Sequence, residues 1–393
     1  MREATDVATT GRYLVLLEPD AAAEGARMMN QVAGLRIATT ADAAATDQLG
    51  QTDGLVLHEL SVAVVTATAE QAAELRRAAA EPGPIMLVEP EGVVRAVRPA
   101  ASVAEPTSSE ETTLSWGLSV IGADLSRASG AGVRVAILDT GLDLHHPDFV
   151  GRTVVSRSFM PGYEVHDAHG HGTHCIGTSC GPRFAGAAPG YGIAYESDIY
   201  AGKVLDDEGS GAEGGVLAGI SWAVANRCQV VSLSLGAPTE PGQPYSRVFE
   251  QVARRTMRRG ALIIAAAGSA SDRKRGHIAS VAHPANCPSI MAIGAVDVQG
   301  RIANFSCGTM DAIGQIDLVA PGVDVHSSWP MPTRYNRISG TSTAAPHVAG
   351  VAALMAGQHR QASPYELWMR LTQTAQRLNL PATDVGAGLV QVP

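Results

Sequence analysis

The sequence predicts an α/β fold, a mostly parallel sheet covered by helices on both faces, preceded by a smaller α+β unit. From about residue 114 onward, short apolar and β-branched segments alternate with helical stretches, as in a buried parallel sheet. Residues 11–97 instead combine period-two segments with two stretches of strong helix formers. Residues 98–113 are small, polar and contain Pro, which is typical of an exposed linker.

The N-terminal unit is predicted to follow the order strand, helix, strand, strand, helix, strand. Its strands are RYLVLLEP, LRIATT, SVAVVTAT and IMLVEPEGVVRAV, and its helices are AAAEGARMMNQVA and AEQAAELRRAAA. This order favours a ferredoxin-like antiparallel sheet with both helices on one face. We therefore expect one domain at 1–97, a linker at 98–113 and a second domain at 114–393.

The larger unit contains six predicted strands separated by helical segments. They are VRVAILDT, SDIYAGKVL, QVVSLSLG, ALIIAAAG, SIMAIGAV and IDLVAP. The first of them follows GAG, but the glycines of a dinucleotide-binding loop come after the strand, so we exclude a Rossmann site.

Composition argues against several classes of function. Of the 393 residues 45% are hydrophobic, which is enough for a large core, and the net charge of −9 comes without a basic block. We therefore expect no nucleic-acid partner and no membrane partner. No apolar run approaches the ~20 residues of a membrane-spanning helix.

Two further features concern the cell compartment. No signal peptide is evident, so we expect a cytoplasmic protein if Met1 is the native start and a secreted one otherwise. The five cysteines are scattered and odd in number, which favours reduced thiols over disulfides or zinc.

Three segments place reactive side chains at the ends of predicted elements. Asp139 ends a strand, His171 lies in HGHGTHC at the start of a helix, and Ser342 lies in GTSTAAPHVAG at the start of another. Alone, each has an ordinary explanation: a turn Asp, a structural His, an N-cap Ser. The alternating histidines also suggest a metal site, although no HExxH spacing is present. Together, in the order Asp, His, Ser, they indicate nucleophilic catalysis.

The segments VAILDTGLDLHHPDF, HGHGTHCIGT and GTSTAAPHVAG resemble the three active-site signatures of the subtilase family, in the family's chain order. Further similar segments extend the resemblance over roughly 114–393. It implies a subtilisin-like serine endopeptidase in which Ser342 attacks, His171 transfers the proton and Asp139 orients His171. Residues 1–97 resemble the subtilase propeptide, an inhibitor and folding chaperone, which implies a self-processing zymogen cut near Val97.

The resemblance also implies where the substrate lies. A peptide is expected to add as a β-strand between two edges of the cleft, next to an apolar S1 pocket and an oxyanion hole. The expected edges are Gly209, Ser210 and Gly211 on one side and Ser234, Leu235 and Gly236 on the other. The expected S1 walls are Ala266, Ala267 and Gly268, and the expected oxyanion donors are Ser269, Thr341 and Ser342.

One departure from the family pattern and one charged cluster qualify these expectations. Ser269 stands where the family usually has Asn, which predicts a weaker oxyanion hole. The acidic residues Asp206, Asp207, Glu208 and Glu213 beside the first edge predict a mild preference for Lys or Arg at P2 or P4. The Ala and Gly walls of the S1 pocket predict an apolar P1 residue.

No cofactor is expected for the chemistry. The resemblance to the family implies a structural Ca²⁺ at Asp317 with the carbonyls of Pro288 and Ile290, an oxygen ligand set that suits a hard cation. Asp148 matches a second calcium aspartate of the family, but the Asn-rich loop that supplies the other ligands is replaced by GPRFAGAAPGYG, so we expect no ion there. The expected partners are peptide or protein substrates and the chain's own N-terminal domain, and we expect a monomer.

Two alternatives remain open. The chain could be a dedicated maturation protease or peptide cyclase, in which an amine releases the acyl-enzyme. It could also be a weakly active or non-catalytic peptide-binding homologue, a hypothesis that Ser269 favours and the three intact signatures oppose.

Overall fold

The computed structural model describes residues 9–40, 52–97, 113–184 and 189–393. The N-terminal unit contains β1 (Thr9–Leu17), α1 (Ala22–Ala33), β2 (Ile37–Thr39), β3 (Gly54–Leu57), β4 (Val62–Thr66), α2 (Ala69–Ala78) and β5 (Ile85–Ala96). The predicted linker lies outside the described residues except for Thr113.

The larger unit follows in chain order. Its elements are α3 (Trp116–Val120), β6 (Arg134–Asp139), β7 (Val154–Ser158), α4 (His171–Cys180), β8 (Asp198–Lys203), β9 (Ser210–Ala212), α5 (Glu213–Ala225), β10 (Val230–Leu233), β11 (Leu235–Gly236), α6 (Arg247–Arg258), β12 (Leu262–Ala266), β13 (Met291–Val296), β14 (Leu318–Pro321), β15 (Val325–Ser328), β16 (Tyr335–Ile338), α7 (Thr341–Gln358), α8 (Pro364–Thr374) and α9 (Ala382–Val385).

The larger unit is built on a parallel sheet, which confirms the predicted α/β class. Over the described ranges its seven strands lie in the order β14-β13-β12-β10-β6-β8-β7, and the neighbouring strands pair in parallel. Helices α4 and α7 pack together against the sheet, and α5 and α6 contact it separately from them. The six predicted strands are all present, and β7 adds an edge strand that the prediction lacked.

The N-terminal unit has the predicted helices and strands, with one addition. Strand β4 pairs antiparallel with β1 and β3, and β1 pairs antiparallel with β5. The short strand β3, GLVL, was not predicted because it is too short to show a period. Strand β3 pairs in parallel with β2, whereas the sequence predicted a sheet that is antiparallel throughout.

Both faces of the N-terminal sheet are covered. Alternate residues of β1 point to opposite faces. Val15 and Leu17 belong to a core that includes Met29 of α1 and Leu75 of α2. Their neighbours Leu14 and Leu16 belong instead to the core of the larger unit. The sheet is therefore packed between its own helices and the larger unit.

All five cysteines lie in described ranges, where they are buried and form no disulfide, as expected. In the described part of the chain, no helix combines the length and apolar character that crossing a membrane requires.

Candidate active site

The parallel sheet brings Asp139 and His171 together. Asp139 is the last residue of β6 and His171 the first of α4. The Nδ1–H of His171 donates to Asp139 Oδ1 over 2.8 Å, and the N–H of Thr140 donates to the same oxygen over 2.7 Å. Both side chains are buried. The carboxylate thus fixes the tautomer that leaves Nε2 of His171 free to accept a proton.

Ser342 lies in the first turn of α7. Its Oγ is buried, and so is Nε2 of His171; neither atom has a hydrogen-bond partner among the described residues. Catalytic hydrogen bonds are often long before substrate is fully engaged. The two unpartnered atoms are those that a nucleophile and its base must offer to a substrate.

The start of α4 is held by Asp167, a residue that the sequence analysis did not single out. Its carboxylate accepts hydrogen bonds from the N–H of Gly170, from the N–H and hydroxyl of Thr173, and from the hydroxyl of Thr140. An Asp four residues before His171, just ahead of a helix start, is a local signal that could have revealed it. Asp167 therefore positions the helix that carries His171.

Close approach of α4 to β6 requires a residue without a side chain. A Cβ on Gly172 would lie 2.3 Å from the carbonyl oxygen of Gly141. The glycine after His171 thus lets the helix approach the loop that follows Asp139.

The electrostatics of the pair favour a charged imidazole. Burial is the largest single influence on the pKa of His171 and lowers it. The negative charge of Asp139, the hydrogen bond to it and the neighbouring Cys175 together outweigh burial and hold the pKa well above its ordinary value. Burial likewise raises the pKa of Asp139, while His171 and the N–H of Thr140 bring it below its usual range. An ionised Asp139 next to His171 therefore makes the imidazole a stronger base.

Cys175 lies one turn after His171, with its Sγ 3.9 Å from His171 Nδ1. Asp139, His171 and Cys175 have ligand atoms close enough to hold a metal ion together. Burial raises the pKa of the Cys175 thiol, so it stays protonated and donates to the carbonyl oxygen of Ser342. This thiol packs beneath the site and is not a second nucleophile.

The predicted oxyanion residues lie together. The N–H of Gly268 donates to the hydroxyl oxygen of Thr341 over 3.0 Å, and the N–H of Thr341 donates to the hydroxyl oxygen of Ser269 over 3.1 Å. The two hydroxyl oxygens are 3.2 Å apart. One of the two hydroxyl protons can form a hydrogen bond between Ser269 and Thr341, and the other can then be donated to a substrate oxygen. Ala266 ends β12, and Ala267 and Gly268 lead directly to this group.

The predicted substrate edges lie on both sides of the chain's own segment 93–97. In β9, Gly211 pairs with Val94 and Ser210 with Arg95. In β11, Leu235 pairs with Ala96 and Gly236 with Arg95.

The last two residues of this segment also make backbone hydrogen bonds to the two edges. The N–H of Ala96 donates to the carbonyl of Gly209 over 2.8 Å, and the N–H of Val97 donates to that of Ser234 over 3.1 Å. The predicted edge residues therefore form a strand-binding cleft.

The segment ends beside Ser342. A Cβ on Gly340 would lie 2.7 Å from Ser342 Oγ and 3.0 Å from the carbonyl oxygen of Val97, so both atoms lie around the same glycine. The side chains of Val94 and Val97 are buried, whereas that of Arg95 is exposed.

The predicted calcium ligands lie at the start of β13 and β14. Oδ2 of Asp317 accepts a hydrogen bond from the N–H of Ala292, two residues after Ile290, which follows Pro288. Burial raises the pKa of Asp317 to about 7, and no Lys or Arg in the described ranges forms an ion pair with it. A buried carboxylate without a cationic neighbour fits a cation.

Asp148 is engaged by protein groups. Its Oδ2 accepts hydrogen bonds from the hydroxyls of Tyr191 over 2.6 Å and Tyr335 over 3.0 Å. A guanidinium nitrogen of Arg334 lies 3.6 Å from Oδ1. These groups already satisfy the carboxylate, which leaves it poorly suited to a calcium ion.

A parallel α/β sheet with Asp139 at the end of a strand, and with His171 and Ser342 in the first turns of two helices, in this chain order, defines the class of the protein as a subtilisin-type serine protease. Residues 130–389, more than half of the chain, match the model of the Subtilase family, and the chain belongs to that family.

Curated relatives agree. A thermostable alkaline protease of Halalkalibacterium halodurans is 37% identical over 73% of this chain and 74% of its own length. Subtilisin DY of Bacillus licheniformis is 35% identical over 71% and 97%, and subtilisin E of Bacillus subtilis is 36% identical over 67% and 65%. The chain is a subtilisin-like serine endopeptidase that acts on peptides or proteins, and this family needs no cofactor for the chemical step.

Proposed function

We propose that the chain cleaves peptide bonds through Asp139, His171 and Ser342, and that it is made as a zymogen that cuts itself after Val97. The observation that carries this proposal is the segment 93–97. It pairs with both edges of the cleft and ends with its carbonyl beside the nucleophile.

The proposed mechanism follows from the positions of these groups. Ser342 Oγ attacks the carbonyl carbon of the residue before the cut, and His171 Nε2 takes the hydroxyl proton. The helix N-terminus at Ser342 and the hydroxyls of Ser269 and Thr341 stabilise the oxyanion. His171 then gives its proton to the leaving amine, and a water releases the acyl group by the reverse sequence.

The segment in the cleft also indicates the substrate preference. With the cut after Val97, the P1 and P4 residues are Val97 and Val94, and both are buried. Arg95, at P3, is exposed. We therefore propose apolar, β-branched residues at P1 and P4. The acidic cluster predicted a basic residue at P2 or P4. At P4 its charge would be buried without a partner, so we propose the exposed position P3 as one that tolerates it.

The N-terminal domain is proposed to inhibit the enzyme until it is removed. Beyond the cleft, its carboxylates satisfy the free N–H groups of two helix starts. Glu89 accepts from the hydroxyl of Ser246 and the N–H of Arg247 at α6, and Glu91 accepts from the N–H of Gly214 at α5. These contacts hold the strand in place before and after the cut.

The test compares the wild-type chain with Ser342→Ala. Intact mass after incubation is expected to show loss of residues 1–97 in the wild type alone. A fluorophosphonate probe is expected to label the wild type at Ser342 and leave Ser342→Ala unlabelled.

Each alternative predicts a different result. Absence of labelling in a folded wild-type chain would indicate a non-catalytic peptide-binding homologue. Joined rather than hydrolysed peptide products would indicate a cyclase. If the wild type cleaves peptides while it keeps its full length, the N-terminal domain is a permanent module.

We further propose that Asp317, with the carbonyls of Pro288 and Ile290, holds a structural Ca²⁺ that takes no part in hydrolysis. Removal of calcium with EDTA is expected to lower the Tm of the wild type and leave that of Asp317→Asn unchanged. An equal Tm with and without EDTA in the wild type would contradict this proposal.

A further inference from the structure

We propose that Arg255 holds the N-terminal domain on the peptidase domain. Its guanidinium fills a socket formed by three backbone carbonyls of the N-terminal domain, those of Leu17, Leu60 and Ser61. The proposal deepens the inhibitory role proposed above for the N-terminal domain and assigns its retention to one residue of α6.

The guanidinium of Arg255 is enclosed by the N-terminal domain. Nη1 donates to the carbonyl oxygens of Leu60 over 2.6 Å and Ser61 over 2.9 Å, and Nη2 donates to that of Leu17 over 2.6 Å. The thioether of Met86 lies 3.6 Å from Nη2. Only 6% of Arg255 is exposed. In the described part of the chain, its hydrogen-bond partners are thus backbone oxygens and one sulfur of the other domain, with no carboxylate among them.

The backbone of the N-terminal domain is shaped to form this socket. Ser61 has a φ of 48°, in the left-handed region that a residue with a Cβ rarely adopts. The turn at Ser61 presents two consecutive carbonyls on the same side. The end of β1 supplies the third carbonyl, and the N–H of Leu17 donates to Ser61, which locks the two segments together. A guanidinium, with its planar fork of donors, matches three converging oxygens.

The surroundings of the socket exclude water. Leu16 and Leu60 of the N-terminal domain lie in the same buried core as Val252 and Phe249 of α6. Arg259 lies at the rim, half-exposed, where it pairs with Glu59 over 3.2 Å. A buried polar contact ringed by apolar side chains is the arrangement of an interaction hot spot, whereas an exposed ion pair contributes little.

The residue that retains the N-terminal domain lies on a different element from the catalytic residues. Arg255 lies on α6, whereas Asp139, His171 and Ser342 lie on β6, α4 and α7. When the domains part, water replaces the carbonyls around the guanidinium, so Arg255 stabilises only the docked state. Removing its donors while the domains stay docked would take a charged donor from all three carbonyls, of which that of Ser61 keeps the N–H of Leu17.

The experiment uses the full chain with Ser342→Ala, which is not expected to cut itself, and measures hydrogen exchange of the Ala96 and Val97 amides. These amides bond across the cleft and exchange when the N-terminal domain undocks. Arg255→Met keeps the length of the side chain and removes its donors, and it is expected to speed their exchange about 100-fold. Arg254→Met is the matched control, because Arg254 is half-exposed and pairs only with Glu250 within α6 in the described ranges.

The amides of Val231 and Ile264, in the central strands of the parallel sheet, report whether the fold is intact. Unchanged exchange at Ala96 and Val97 in Arg255→Met, with the central amides protected, would overturn the proposal. Equal acceleration in Arg254→Met would overturn it too. If Arg255→Met lacks central protection, Arg255→Lys decides: a smaller acceleration of about 10-fold is expected, and none contradicts the proposal.

This readout does not depend on catalysis. If the wild type never cuts after Val97, self-processing fails while the exchange result still decides the role of Arg255. In a chain that does process itself, Arg255→Met is also expected to shorten the delay before peptide cleavage begins.

Discussion

His171 shows how a single residue sets the pH range of the enzyme. Its imidazole must be neutral to take the proton of Ser342, and the charge of Asp139 holds its pKa well above the ordinary value. Activity is therefore expected to rise with pH through a pKa above about 6.5, the usual value for His. Profiles of kcat/KM against pH measure this rise, which is the acidic limb of the profile.

The same profile tests the cause of the shift. Asp139→Asn removes the negative charge, so the limb is expected to move to lower pH, and turnover is expected to fall by about 10⁴ because the tautomer is no longer fixed. A limb that stays in place in Asp139→Asn would show that the carboxylate does not set the pKa of His171.

Ser269 is the second residue whose role can be measured. The hydroxyl oxygen of Ser269 accepts a hydrogen bond from the N–H of Thr341. The hydroxyl proton of Ser269 can be donated either to the hydroxyl oxygen of Thr341 or to the substrate. Ser269→Asn adds a longer donor and is expected to raise kcat by up to about 10²-fold with little change in Tm. An unchanged kcat in a folded variant would mean that Thr341 and the helix N-terminus already fill the oxyanion hole.

At the scale of elements, β9 forms one wall of the cleft, and Gly209 precedes it with a φ of 77°. A Cβ there would lie 2.9 Å from His169 Nε2 and 3.5 Å from the Cβ of Ala96, which occupies P2. Because 3.5 Å is an ordinary contact, Gly209→Ala still admits Ala at P2 and is expected to raise KM about 10-fold for substrates with a larger P2 side chain, while kcat changes little.

Gly242 provides the matched control. It has a similar φ of 82°, but a Cβ there would meet nothing within 4 Å. Gly242→Ala carries the same backbone strain, of about 1 kcal/mol, without intruding on the cleft. If both variants raise KM equally, strain and not the lost space at P2 is the cause.

At the scale of the whole molecule, the N-terminal sheet separates two cores. Leu16 packs in the core shared with the peptidase domain, and its neighbour Leu17 packs under α1 and α2. Replacing either by Ala is expected to destabilise by about 2–5 kcal/mol, but in different places.

Hydrogen exchange in the Ser342→Ala chain distinguishes the two. Leu16→Ala is expected to expose the Ala96 and Val97 amides while the amides that join β1 to β4 stay protected. Leu17→Ala is expected to weaken both sets, because the domain itself loosens. Identical exchange patterns would mean that docking and folding of the N-terminal domain are one cooperative event.

The sequence by itself determined the local features of this protein. Short apolar, β-branched runs predicted six of the seven strands of the parallel sheet, and three short motifs predicted Asp139, His171 and Ser342 at element ends. These signals work because they depend on neighbours close in the chain. The prediction missed the short strand β3, which shows no period, and Asp167, although its place just ahead of a helix start is itself a local signal.

Only the tertiary structure decided what fills the cleft and what holds it there. Arg255 is 195 residues from Leu60 in the chain, and Glu91 is 123 residues from Gly214. The partners of Arg255 are carbonyls, which every residue carries, so no side-chain pattern marks them. Asp148 likewise retains the residue type of a calcium ligand, yet Tyr191 and Tyr335 occupy it. Which oxygens contact a charged group depends on how segments that are distant in the chain pack together, and a local sequence pattern does not encode that packing.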